Sequence, residues 1–358
     1  MTFGAYTAVP HEGPIADAPA PSSEPLRIGI LGAARITDLA LVGPARTTGD
    51  RLVAVAARAR HRAEAFAAEH GVERVVDDYA SVLADDEVEV VYNPLANALH
   101  GPWNAAAAHA GKHVLSEKPF AANADEARLV ADAARTAGVS VVEAFHYLHH
   151  PVMRRVLELL DAGELGDLRE VEAHITMAAP PPDDPRWSFE LAGGAVMDLG
   201  CYGLHAHRSL APWGGGEPRV VGARGAERNP GVDEWVEAEL AFPGGASGFV
   251  YCSMSAQSRM TLRVVGSMGE VTAANFVLPH LDDRVLVRTG CGASATQRTE
   301  HLGTRSSYTY QLEALRAHLR DGAPLAVDAS DAVVTAELID AVYTAAGLPV
   351  RPATALTP

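Results

Sequence analysis

The stretch "RIGILGAARIT", Arg27–Thr37, decides how the chain begins to fold. A short β-branched run meets Gly32, then small residues, then the start of a helical pattern: a strand that turns tightly into a helix. Read as a dinucleotide fingerprint, Gly32 makes the tight turn, Ala34 takes the place of the second Gly, and Thr37 stands where Gly or Ala would pack helix against strand. The spelling is loose, and a plain strand-to-helix turn competes with it. The position fits better, because backbone N–H groups of Ala33, Ala34, Arg35 and Ile36 at a helix start can hold a pyrophosphate.

Outward from this turn, strand-length runs alternate with helical patterns: "LVAVAA" (52–57), "VEVVY" (88–92), "HVLS" (113–116) and "VSVVEAF" (139–145). Amphipathic, Ala-rich segments such as "RAEAFAAEHG" and "ADEARLVADAARTAG" lie between them. Val- and Ile-rich strands joined by helices predict a doubly wound parallel sheet covered on both faces, an α/β Rossmann domain over residues 26–147. After residue 150 the rhythm changes. A helix around "MRRVLELLDAG" precedes longer alternating stretches, "LREVEAHITMA", "WVEAELAFPGG", "ASGFVYCSMSA", "MTLRVVGSMGEVTA" and "RVLVRTG", with turns at Pro243-Gly244-Gly245 and Met268-Gly269. Alternation with Gly-rich turns predicts an α+β domain over 148–347 built on an antiparallel sheet. "DAVVTAELIDAVYTAAGLP" has helical spacing, with Gly347 as its expected C-terminal cap and Pro349 beyond. Residues 1–25, without Lys or Arg, are expected to form a flexible tail, and 348–358 a C-terminal tail.

Composition narrows the function. The formal net charge is −16 over 358 residues, which opposes nucleic acid and anionic membrane because phosphate binding needs clustered cations. No run is long and apolar enough to span a bilayer. Cys201, Cys252 and Cys291 are odd in number and widely spaced, so a cytoplasmic, reducing setting is expected.

Three motifs carry chemistry. An NAD-type site places an acid about twenty residues past the glycines to bind the ribose diol. Here that region reads "AARARHR"; it has no acid, and Arg58, Arg60, His61 and Arg62 form a basic patch suited to a 2′-phosphate. The expected cofactor is NADP(H), with NAD the alternative and a solvated helix start the bland reading. In "HVLSEKPF" (113–120), taken as the fifth strand of the doubly wound sheet, Lys118 stands at the carboxyl end, facing the crevice, and Pro119 fixes the backbone, a cis bond being one way to do so. In "GGAVMDLGCYGLH" (193–205), a helix from Leu199 would put Asp198, Tyr202 and His205 on one side, an arrangement suited to proton transfer; a capping Asp with packed Tyr and His is the structural alternative. His146, His149, His150, His205 and His207 raise a metal site, but no HExxH or Cys partner accompanies them, and none is expected.

Taken in order, "GAARI", "YNPLANALH", "AGKHVLSEKPF", "EAFHYLHHP", "GELGDLREVEA" and "LAGGAVMDLGCYGLH" resemble the Gfo/Idh/MocA oxidoreductases over residues 26 to about 347. The match is best to the subgroup containing glucose-fructose oxidoreductase, NADP-dependent D-xylose dehydrogenase and dimeric dihydrodiol dehydrogenase. The resemblance implies a Rossmann domain, a C-terminal domain with a large open antiparallel sheet, and a bound nicotinamide cofactor. By motif, Lys118 matches the EKP lysine, while Asp198 and Tyr202 match the acid and the proton-transferring residue. Many relatives carry His at the latter position, and Tyr favours the subgroup. Pro94, Leu95, Asn97 and His100 match the loop beside the cofactor, with Glu117 next to the lysine. Ala96 departs from the usual second Pro, and Thr37 from a small residue.

The expected reaction is hydride transfer between NADP(H) and a secondary alcohol or ketone of a sugar or cyclic polyol, dihydrodiols included. The alcohol proton needs a base, for which Tyr202 is the candidate; a nearby Lys118 ammonium is expected to favour its phenolate and to bind the reacting oxygen. His146, Tyr147, Arg186, Trp187 and His205 are candidate pocket residues. An NAD-dependent oxidation-elimination glycosidase and a non-catalytic sensor are the alternatives; the basic patch argues against the first, the intact Lys, Asp and Tyr against the second. A sheet face carrying residues of "FVYCSMSA" and "MTLRVVG" is expected to pair subunits into a homodimer or a dimer of dimers.

Overall fold

The structure is a computed structural model that describes residues 24–290, 295–325 and 327–355. The tail expected over 1–25 lies outside the described residues except for Glu24 and Pro25.

Strands β1 (Arg27–Leu31), β2 (Arg51–Ala56), β3 (Val90–Asn93), β4 (His113–Ser116) and β5 (Val141–Glu143) form one parallel sheet in the order β2-β1-β3-β4-β5. Their side chains are almost all buried, which is why these runs read as continuously apolar rather than alternating. "HVLS" is the fourth strand, not the fifth, because among the described residues only three strands of this sheet precede it. Strand order reverses between β1 and β3. Ligands of such sheets sit outside the carboxyl ends at that reversal, which is where Gly32 and the loop Pro94–His100 emerge.

The second sheet comprises β6 (Leu168–Thr176), β7 (Arg219–Asn229), β8 (Val232–Ala241), β9 (Ser247–Ser253), β10 (Arg259–Gly266), β11 (Gly269–Ala273), β12 (Arg284–Thr289) and β13 (Thr296–His301), ordered β13-β12-β11-β10-β6-β9-β8-β7. All its pairs are antiparallel except β6 with β9. Several helical segments and the β7–β8 hairpin separate those two strands, and the chain re-enters beside β6 in the same direction. Val171, Ala173, Ile175, Val250, Cys252, Leu262 and Val264 face the buried side. The helix Cys201–Arg208 lies close on that side, so close that a Cβ at Gly203 would meet Ile175 Cδ1 and Val250 Cγ1 at 2.8 Å.

Contacts cross the expected boundary near residue 147. Helices Ser307–Asp321 and Ala329–Ala345 return to the Rossmann sheet: Ala329, Ala332 and Ala336 join its core, Arg316 pairs with buried Asp50, and Ala124 N–H donates to Asp340 at 2.9 Å. The sheet needs cover on both faces, and these helices complete it. The described residues after 348 are held in place as well. Arg351 is fully buried against Asp233 and donates to the Gly193 carbonyl at 2.8 Å, while Thr354 N–H reaches Glu126 of the first domain.

Candidate active site

At the dinucleotide end, Gly32 has φ +92°, a left-handed conformation that favours glycine. Its N–H donates to the Ala56 carbonyl at 2.7 Å, closing β1 onto β2, and the helix that follows starts at Ile36. Arg62 crosses this turn and donates to the Ala33 carbonyl at 3.0 Å. Arg58 and His61 are exposed beside it. Arg60 is not part of the patch in function, since its guanidinium pairs with Glu64 and Asp77. The Thr37 hydroxyl is buried without a hydrogen-bond partner, an orphan donor beneath the turn. A glycine turn, a helix start, clustered cations and no acid after β2 fit a dinucleotide with a 2′-phosphate.

The loop after β3 is fastened to the second domain: Asn97 Nδ2 donates to the Ala192 carbonyl at 3.0 Å, and Ala98 N–H to Leu191 at 3.2 Å. Leu95 packs over Gly32, its Cδ2 3.0 Å from where a Cβ would stand. Pro94 is buried. His100 is buried with Nδ1 2.6 Å from the Pro119 carbonyl and Nε2 2.8 Å from the Leu95 carbonyl. Two carbonyls would favour an imidazolium, but burial outweighs them and pushes its pKa down to about 4. His100 thus clamps the loop to the EKP turn rather than presenting a polar atom to the crevice.

At the other end, β4 stops where Glu117, Lys118 and cis Pro119 begin. Buried Glu117 accepts from the Tyr92 hydroxyl at 2.8 Å, and burial raises its pKa. Lys118 Nζ donates to the Asp198 carbonyl at 2.9 Å and to its Oδ1 at 3.1 Å. Arg186 Nε donates to Oδ2 at 2.8 Å. Burial disfavours both charges of the Lys118–Asp198 pair, but mutual attraction wins, so the lysine is held above and the carboxyl below its ordinary range. Asp198 does not cap a helix. It lies inside a wide π-turn, Val196–Gly200, that runs directly into the helix bearing Tyr202, and such turns often mark functional sites.

Lys118 lies over the Tyr202 ring, 5.3 Å from its centroid, and not on its hydroxyl. The expected phenolate support is therefore absent from this geometry. Burial instead pushes the phenol well above its ordinary value, with Tyr308 and Glu117 adding to the effect. The Tyr202 hydroxyl faces His146 Nε2 at 3.2 Å.

The pocket candidates divide. Arg186 is partly exposed and anchored to Asp198 and Asp184. Asp184 also meets Arg35, at 3.4 Å, across from the dinucleotide turn. His146, Trp187 and His205 are buried, and so is Tyr147, whose hydroxyl lies 2.7 Å from His205 Nδ1. Trp187 donates to the Pro180 carbonyl and carries Arg228 on its ring, while His205 meets Asp331 at 3.3 Å. Tyr147, Trp187 and His205 are therefore packed behind the site rather than lining it. Two participants escaped sequence reasoning. Tyr79 puts its hydroxyl 3.6 Å from the Cβ position of Gly32, and Ser307 meets His146 Nδ1 at 2.8 Å; their order in the chain relates neither to the motifs they join. Among the described residues, no three His, Cys, Asp or Glu gather as a metal would require.

Residues 26–145 match the oxidoreductase family with an NAD-binding Rossmann fold, and residues 153–272 match the GFO/IDH/MocA C-terminal domain. The chain is 34% identical to D-xylose 1-dehydrogenase (NADP(+)) 2 of Haloferax volcanii, over 90% of this chain and 97% of that protein. It is also 34% identical to a dTDP-3,4-didehydro-2,6-dideoxy-alpha-D-glucose 3-reductase of Streptomyces violaceoruber, over 90% and 96%. The crystal structure of a 3-ketoreductase from Actinomadura kijaniata with NADP and TDP-benzene superposes with a TM-score of 0.81 at 28% identity, covering 90% of this chain and 98% of that one.

Proposed function

The chain belongs to the Gfo/Idh/MocA oxidoreductase family, and from that premise we propose an NADP(H)-dependent enzyme that oxidises a secondary alcohol, or reduces the ketone, of a sugar or small cyclic polyol. The relatives named NADP-dependent sugar dehydrogenase and sugar ketoreductase support the cofactor and the substrate class. The observation that carries the reading is the buried Lys118–Asp198 pair at the end of β4, beside Tyr202.

Gly32, Ala33, Ala34, Arg35 and Ile36 would hold the pyrophosphate, Arg58 and Arg62 the 2′-phosphate, and the Pro94–His100 loop with Glu117 would frame the nicotinamide side. When bound, the nicotinamide supplies or accepts the hydride. Lys118, kept charged by Asp198, donates a hydrogen bond to the reacting oxygen. Tyr202, a neutral phenol, exchanges the proton with that oxygen. Arg186 holds the second oxygen of Asp198 and so keeps the pair in register. A screen of sugars, inositols and dihydrodiols with NADP⁺, following reduced nicotinamide, tests the reading; no turnover with any of them, while NADP⁺ binds, would overturn it.

The open face of the second sheet supports a homodimer or a dimer of dimers. The apolar alternation of "FVYCSMSA" and "MTLRVVG" divides, and its open side presents Phe249 and Tyr251 beside His174 and Trp235, flanked by Arg263 with Glu172 and Glu270. Light scattering at micromolar concentration checks this, and a monomer would count against it. Cys201 and Cys252 are buried free thiols, which suits a reducing cytoplasm, and among the described residues no helix is long and apolar enough to cross a membrane.

A further inference from the structure

We propose that Asp184 is a positioning residue that couples the two ends of the crevice: when the diphosphate of a dinucleotide engages Arg35, Asp184 holds its loop down and fixes Arg186 against Asp198. The inference rests on the reading of the turn after β1 as the NADP(H) diphosphate site. Asp184 is the anion shared by two arginines. Arg35 Nη2 donates to its Oδ2 at 3.4 Å, and Arg186 Nη1 donates to Oδ1 at 3.2 Å and to Oδ2 at 3.3 Å. Arg186 Nε in turn donates to Asp198 at 2.8 Å, and Lys118 Nζ donates to the other Asp198 oxygen at 3.1 Å. Cation and carboxylate therefore alternate without a gap from the dinucleotide turn to the reacting lysine.

The loop that carries Asp184, residues 177–188, is fixed at its base and tethered once at its tip. At one end Met177 N–H donates to the Ser253 carbonyl at 2.9 Å. At the other, Trp187 is buried under Arg228, and its carbonyl accepts from Asn229 Nδ2 at 2.8 Å. All of these partners belong to the second domain. Among the described residues, Arg35–Asp184 is the one ion pair between the loop and the first domain. Asp184 also shapes the tip: its Oδ1 accepts from Arg186 N–H at 3.1 Å as well as from the guanidinium, so a shift of this carboxylate moves Arg186 with it.

Charge gives the coupling its sign. The Arg35 side chain is 87% exposed and that of Asp184 only 6%, so water screens the pair and it holds the loop weakly by itself. A diphosphate at Gly32–Ile36 would cover Arg35 from water and occupy its free N–H groups, which strengthens the remaining bond to Asp184. Without a guanidinium between them, the diphosphate and Asp184 would be facing anions, and their repulsion would lift the loop. The consequence is an order of events. Without cofactor, Arg186 rides on a loosely held tip and braces Asp198 poorly. With cofactor, the brace is complete before substrate arrives, as suits a lysine whose charge must be in place for the transition state.

The test follows hydrogen–deuterium exchange of the loop amides by mass spectrometry in the full-length enzyme, with calorimetry to measure binding. NADP⁺ and 2′-phospho-ADP-ribose, which has the diphosphate but no nicotinamide, should each slow exchange at the loop tip about fivefold or more. Adenosine 2′-monophosphate, which lacks the diphosphate, should not. Arg35→Ala, at an exposed position, should abolish the slowing even with cofactor saturating. If NADP⁺ does not bind, the underlying site reading fails and the coupling with it; if NADP⁺ binds and the loop exchanges as before, the coupling alone is overturned. Slowing by NADP⁺ but not by 2′-phospho-ADP-ribose, equal slowing by adenosine 2′-monophosphate, or slowing that survives in Arg35→Ala would each overturn it too. Turnover at saturating NADP⁺ adds a second readout: Asp184→Asn should lower kcat about tenfold or more, and adding Arg35→Ala to it should cost nothing further, since both changes break one path. Losses that multiply would show two independent roles and refute the coupling.

Discussion

At the carboxyl end of β4, Lys118 is enclosed and both of its hydrogen bonds go to Asp198, whose other oxygen is taken by Arg186. At the carboxyl end of β2, Arg58, His61 and Arg62 are exposed, and no salt bridge among the described residues engages them. The proposed reacting end is organised by internal charge, whereas the proposed phosphate end leaves its cations without a carboxylate. The difference suits the proposed tasks: a charge that acts on a transition state must be fixed beforehand, while one that selects a phosphate gains most if no carboxylate competes for it.

The sharpest way to break this contrast is Lys118→Ala. Turnover should fall about a hundredfold or more while NADP(H) affinity stays within about tenfold, as steady-state kinetics and cofactor titration would show. If affinity collapsed with turnover, the lysine would belong to the binding end. Next, kcat/KM of the wild type should favour NADP⁺ over NAD⁺ by about ten- to a hundredfold, and Arg58→Ala should erase most of that preference while leaving NAD⁺ kinetics nearly unchanged. Equal weakening of both cofactors would make the patch a mere solvated helix start.

The fixed end also predicts a pH effect on stability. Glu143, at the end of β5, accepts from Phe120 N–H at 2.8 Å, and burial, with Asp331 second, pushes its pKa from 4.5 up to about 8. The folded protein then binds one more proton than the unfolded chain between those values, so this group's contribution falls as pH rises, by on the order of 1 kcal/mol per unit. Glu143→Gln, which still accepts from Phe120, should flatten the decline of the urea midpoint between pH 5.5 and 8; parallel declines would refute the assignment. The smallest effect belongs to Arg60→Ala. Because Arg60 is already committed to Glu64 and Asp77, the NADP⁺/NAD⁺ ratio should move by less than about twofold.

The same contrast governs what could be read in advance. The first sheet was legible because strands buried on both faces are apolar throughout, and the candidates Gly32 and Lys118 stood out because motif and strand end coincide, Asp198 and Tyr202 because of their motif alone. Strands β7 and β13 were not, since "RVVGARGAERN" is interrupted by glycine and arginine and "TQRTEH" has no apolar residue, as suits strands at the sheet's two edges. The helix Ser307–Asp321 and its Ser307 contact with His146 depend on the chain folding back across 161 residues of sequence separation, which no local pattern encodes. Tyr202 was identified by its neighbours in sequence, but its protonation is set by neighbours in space.

The buried Arg351 bears on how the molecule is made. Asp233 holds Val196 N–H at the head of the turn that carries Asp198, and Arg351 supplies the cation that Asp233 needs, while also gripping Gly193. On a ribosome, residues 26–145 emerge long before Ala329–Ala345 can cover their sheet, and Arg351 follows later still. Until those segments dock, the Rossmann sheet has one flank bare and the turn that carries Asp198 lacks its latch, so both halves reach their final form together.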